Sequence, residues 1–181
     1  MSARPPLVRP PIASSTSAAC LSLLLAGCAS PPQGAAAVAD LQPTADHAAS
    51  GSIGFRQLGG FVQVTGTVRG LPPRTELGFR IHEIGDCSGD GQAAGAPFNP
   101  LGTQHGRFGD GGAQAGELPS LHADSTGTAI FSFDTRAIGL GSGPIGVLGR
   151  ALVVQQDRDG DSTRPAGDSG VRIACGVIEP R

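Results

Sequence analysis

From Gly51 onward the chain alternates apolar and polar residues with a period of two, and almost every such run stops at Gly or Pro. Side chains of a β-strand point to opposite faces in turn, so a core on one side imposes this period; a helix cannot satisfy it. The clearest case is 52–58, a Gly59-Gly60 pair, and then Phe61-Val62-Gln63-Val64-Thr65-Gly66-Thr67-Val68. Because glycine reaches positive φ without a steric penalty, the pair predicts a hairpin with Val62, Val64 and Val68 on one face. Gly70-Leu71-Pro72-Pro73 closes the second arm, since proline cannot donate to a ladder. Further strands are expected at 127–134, 149–156 and 170–178. The 29 Gly and 15 Pro, with seven Phe and neither Trp nor Tyr, suit a loop-rich all-β sandwich or barrel with an aliphatic core.

The run Gly78-Phe79-Arg80-Ile81-His82-Glu83-Ile84 carries the same alternation with unusual polar members. Phe79, Ile81 and Ile84 read as the core side, and Arg80 and His82 then project together from the other face. Between Asp86 and Leu118, the density of Gly, Pro and Asp predicts a long ordered loop. Loops of that length are commonly functional or cross-linked.

The first 27 residues hold Arg4 and Arg9 followed by an apolar run ending in Leu23-Leu24-Leu25-Ala26-Gly27, and they read as a secretory signal. Leu25-Ala26-Gly27-Cys28 resembles a bacterial lipobox, which implies lipidation of Cys28 and a membrane anchor made of acyl chains. Ala29 rather than Asp follows, which favours the outer membrane, with the protein facing the periplasm of a bacterial envelope. The segment 28–50 is rich in Ala, Pro, Ser and Gln and reads as a lipidated flexible linker without structure. One domain is expected over 51–181. Every one of the 13 basic residues is Arg; 11 of them remain after the signal against 15 acidic residues, a charge of −4 that speaks against a nucleic-acid surface.

Several of these segments resemble the Cu/Zn superoxide dismutase family, whose pattern runs G-F-H-I-H-E, a cysteine, A-G-G-H-F-N-P, H-G, H-x-G-D-L, G-R-A-x-V-x-H and G-x-R-x-A-C-G-V-I. Here the corresponding runs are Gly78 to Glu83, Cys87, Ala94-Gly95-Ala96-Pro97-Phe98-Asn99-Pro100, His105-Gly106, Gln114-Ala115-Gly116-Glu117-Leu118, Gly149 to Gln155 and Gly170 to Ile178. The resemblance implies a Greek-key β-barrel of about eight antiparallel strands. It also implies a disulfide between Cys87 and Cys175, the two cysteines left once Cys20 is cleaved away and Cys28 is lipidated.

Carried over residue by residue, the resemblance places Arg80, His82, Pro97 and Gln155 at the copper positions, and Pro97, His105, Gln114 and Glu117 at the zinc positions. One imidazole of four remains for copper, and proline offers no ligand atom. A redox copper needs several nitrogen ligands, while Arg sets a fixed positive charge in its place. The expectation is therefore no copper and only weak zinc, held by His105 and Glu117 with water. Arg172 stands at the family's anion-guiding position, with a structural salt bridge or a cap over the loop as its other reading. Asp159 aligns with an Asp that ties the metal-site imidazoles together, and it is the expected partner of Arg80, followed by Glu117 and Glu83. Three functional readings follow: a non-enzymatic envelope module binding a small anion or a protein; a dismutase with an atypical metal arrangement; and a metal carrier using His82 and His105.

Overall fold

The computed structural model describes residues 34–156 and 170–181. Among them are eight strands: β1 Ala36–Pro43, β2 Ser50–Leu58, β3 Phe61–Arg69, β4 Glu76–His82, β5 Leu121–His122, β6 Ala129–Thr135, β7 Ala151–Gln155 and β8 Arg172–Pro180. All neighbours pair antiparallel, in the order β5-β4-β7-β8-β1-β2-β3-β6. Strands β3 and β4 are consecutive in the chain yet lie far apart in the sheet, as do β6 and β7; these crossovers are what a Greek key requires.

The predicted hairpin is β2–β3, closed by Leu58 opposite Phe61 with Gly59 at φ 59°. Its inward face carries Ile53, Phe55, Val62, Val64 and Val68, all buried in the main core with Leu77, Phe79, Ile81, Leu152, Val154 and Ile178. Phe79 and Ile81 face the core as their alternation required. Ile84 does not: β4 has ended at His82, and Ile84 is 49% exposed.

The segment 28–50 is not structureless. β1 lies inside it, paired with both β2 and β8, and Ala37, Ala39 and Leu41 alternate inward. Two alanines contribute so little apolar contrast that the period of two disappears in an Ala-rich stretch, yet small side chains suit a close neighbour. Gly176 of β8 lies against this strand, and a Cβ there would come within 2.6 Å of the Asp40 carbonyl. His122 sits on the short strand β5 opposite Glu76, with its side chain exposed.

Strands β4 and β7 are buried on both faces, which an open antiparallel sheet would not be. The outer cover is the loop from Cys87 to Phe98, which includes a 3₁₀ turn at Gln92–Ala94. Under it, Ala94, Ala151, Val153 and Cys175 form a second, smaller apolar cluster. This cover turns the outer face of β4 into an interior site.

Candidate functional site

Arg80 pairs in register with Val153 and His82 with Ala151, so both project under the cover beside the smaller cluster. Each is only 1% exposed. Gln155 lies opposite Gly78 on the same face, and Arg172 lies opposite Gln155 across a bulge, so β4, β7 and β8 bring the four polar residues to one surface.

The cover is tied down at four kinds of contact. Cys87 and Cys175 form the expected disulfide, with Cα atoms 5.7 Å apart. The backbone bonds Glu83 N–H to Ala96 O and Ile84 N–H to Ala94 O continue β4 into the loop. Arg172 donates from Nη1 to the Gly91 carbonyl and from Nη2 to the Gly95 carbonyl, the latter at 2.8 Å. Arg150 lies over the Phe98 ring at 3.7 Å and donates to Glu83 O at 2.7 Å. The two carbonyls that Arg172 caps are the loop's own, so its guanidinium acts as the cap foreseen as one of its two readings. Arg150 was not singled out in the sequence; its place in G-R-A before an alternating run was the available signal.

His82 Nδ1 lies 2.9 Å from the Gly95 carbonyl, and since a carbonyl only accepts, the proton is on Nδ1. Nε2 then carries a lone pair, buried and without a donor among the described residues. Burial above all lowers the imidazole pKa to about 4; the Gly95 bond opposes the shift, and the charges of Arg172 and Arg80 add to it. His82 is therefore neutral at ordinary pH.

A second polar group adjoins this one through Glu117, whose backbone bridges to Arg80. Gly116 makes that approach possible: Ile81 N–H donates to its carbonyl at 2.8 Å, and a Cβ on it would collide with the Ile81 carbonyl at 2.3 Å. The Glu117 carboxylate, 2% exposed, accepts from His105 Nδ1 and from Gly106 N–H at 3.2 Å. Burial pushes the Glu117 carboxyl up, while His105, Gly106 and the charge of Arg80 pull the other way. His105 and Glu117 thus come together as expected. Gln114 is buried nearby, with Glu117 N–H donating to its carbonyl at 3.1 Å. Pro97 bridges backbone to backbone with His82. Among the described residues, no three His, Cys, Asp or Glu side chains gather as a metal site would. Asp159 and Cys28 lie outside the described residues.

A family model described as copper/zinc superoxide dismutase (SODC) matches residues 49–178. Superoxide dismutase [Cu-Zn] 2 of Brassica juncea is 40% identical over 135 residues, 71% of this chain and 88% of that protein. The crystal structure of the clock protein EA4 superposes with a TM-score of 0.73 at 36% identity, covering 83% of this chain and 97% of that one.

Proposed function

This chain belongs to the copper/zinc superoxide dismutase family, and from that premise we propose that it is an envelope lipoprotein that has lost the copper chemistry and serves as a non-enzymatic binding or structural module. One observation carries the reading: the side chain buried at the first copper position is the guanidinium of Arg80. A permanently charged group with no lone pair cannot ligate a cation and repels one.

The rest of the donor set agrees. His82 Nε2 is oriented as a ligand nitrogen would be, with its proton on Nδ1 and its lone pair unsatisfied. It has no companions of its kind, because Pro97 has no donor atom and Gln155 offers an amide oxygen. One imidazole and one amide do not fit a redox copper. On the zinc side, His105 Nδ1 is already engaged by Glu117, leaving two protein ligands where a structural zinc takes four. The hydrogen bonds of Arg172 to Gly91 and Gly95 and of Glu117 to Gly106 support this reading of a site held without metal.

The cellular half of the proposal rests on the sequence: the signal-like segment 1–27 and the lipobox-like Leu25-Ala26-Gly27-Cys28 support a lipid anchor at Cys28, with the barrel in the periplasm on the outer membrane. A second reading, dismutase activity through an atypical metal arrangement, draws on the free lone pair of His82. One experiment separates the two. Protein matured in a periplasm is assayed for bound copper and zinc and for superoxide turnover; less than stoichiometric copper with turnover at the background rate is expected. Stoichiometric copper with turnover would establish the second reading instead.

A further inference from the structure

A cleft of about 610 Å³ opens between the loop 108–117 and the ends of β3 and β6; it reaches the group described above only through Gln114 and Glu117, and none of Arg80, His82, Gln155 and Arg172 lines it. Its walls join two aromatic rings, Phe61 and Phe108, to three carboxylates, Asp110, Glu117 and Asp134, against one guanidinium, Arg136. Phe108 is held from behind by an edge-to-face contact with Phe133 at 5.3 Å. Asp110 and Asp134 are exposed at the rim, whereas Glu117 is committed to His105 and Gly106 within.

Aromatic faces beside carboxylates attract cations with an apolar body, because the ring quadrupole and the carboxylate charge act in the same sense. A metal ion is less suited to such walls, since half of the lining offers no ligand atom. Gln114 adds a hydrogen-bonding preference. It is 8% exposed, it forms part of the wall, and its Oε1 has no donor among the described residues. The terminal amide torsion of Gln is soft, so a small turn toward the cleft would let an entering N–H satisfy that oxygen.

We propose that this cleft binds a small organic cation with N–H donors on a flat apolar body, of the amidinium or aryl-ammonium kind. The inference goes beyond the loss of copper chemistry and does not depend on it. Rings of Phe108 and Phe61 take the body, Asp110 and Asp134 face the charge, and Gln114 receives one N–H. The single guanidinium, Arg136, attracts anions less than the exposed carboxylates Asp110 and Asp134 repel them, so the cleft selects cations by sign.

The test is titration of the barrel with benzamidine followed by amide chemical shifts. Saturable shifts at Phe108, Gln114 and Thr135 are expected. Phe108→Leu should weaken binding about three- to fivefold through the lost cation–π contact. Asp134→Asn, at an exposed position that leaves folding intact, should weaken it by a similar factor, as should raising the salt to about 0.5 M. Tetramethylammonium, which has no N–H, should bind more weakly than benzamidine. Four results would overturn the proposal: no saturable shifts, equal binding by both variants and the parent, equal binding of benzoate, or tighter binding of a blocked Gly-Arg-Gly peptide than of benzamidine. The last would make the cleft a protein-docking site. Metal content and superoxide turnover of the same sample are measured separately, so failure of the copper reading would be seen independently.

Discussion

Replacing both Cys87 and Cys175 by Ser should lower stability by roughly 4 to 5 kcal/mol, the loop-closure entropy of the 88 residues that the bond spans. The structure indicates why the loss falls mainly on the unfolded chain. In the folded state, Arg172 still holds the Gly91 and Gly95 carbonyls, and the Glu83–Ala96 and Ile84–Ala94 backbone bonds still hold the cover to β4. The native state therefore keeps its geometry while the denatured ensemble expands. For a domain of about 150 residues, each kcal/mol moves the melting temperature by roughly 2 to 4 °C, so a fall of roughly 8 to 20 °C is expected. Urea unfolding should also steepen, since a chain without the cross-link exposes more surface on unfolding. Circular dichroism melts of the double variant, the parent and the parent under reductant provide the assay. The variant and the reduced parent should agree. Equal melting temperatures for oxidised parent and variant would refute the reasoning, because the bond would then constrain nothing the chain does not already constrain.

Arg172→Gln removes both guanidinium contacts to the cover and should cost about 2 to 4 kcal/mol, with faster amide exchange confined to 88–96; unchanged exchange would remove the cap role. Arg80→His should not restore copper, because Pro97 and Gln155 remain, and stoichiometric copper by elemental analysis would contradict the donor-set argument. The His82 pKa is about 4 folded against 6.5 for the free side chain, so the unfolded chain binds the extra proton between those values. Its contribution, about 3 kcal/mol, should be present above pH 6.5 and lost as the pH falls toward 4. Glu117, pushed upward, slopes the opposite way, so the measurement is the difference in pH profile between parent and His82→Gln; parallel profiles would show that His82 is not buried neutral. Cys28→Ser should release the protein from membranes into the soluble periplasmic fraction, and retention after a salt wash would reveal another anchor.

Much of the fold can be read from local pattern because a two-fold period is a direct record of which face meets the core. Val62, Val64 and Val68 declare their face without knowledge of any partner strand, and Gly59-Gly60 declares the hairpin that joins them. The ends of the strands were less legible. β4 begins at Glu76 and stops at His82, because the ladder ends where the cover takes over the hydrogen bonds of Glu83 and Ile84.

The sequence by itself determined the alternation that marks an all-β chain, and its resemblance to a known family implied the fold family, the disulfide pair and the residues at the ligand positions. Only the tertiary structure decided which of them meet and what each does there. β1 was invisible because alanine carries too little hydrophobic contrast, and it exists because β2 and β8 supply ladders on both sides. Arg172 became a cap only when the loop turned the Gly91 and Gly95 carbonyls toward it. His82 became a neutral imidazole with its proton on Nδ1 only when that same loop buried it and offered one acceptor. Burial and protonation state depend on what other segments place around a side chain, and those segments lie far away in the sequence, 81 residues in the case of Arg172 and Gly91.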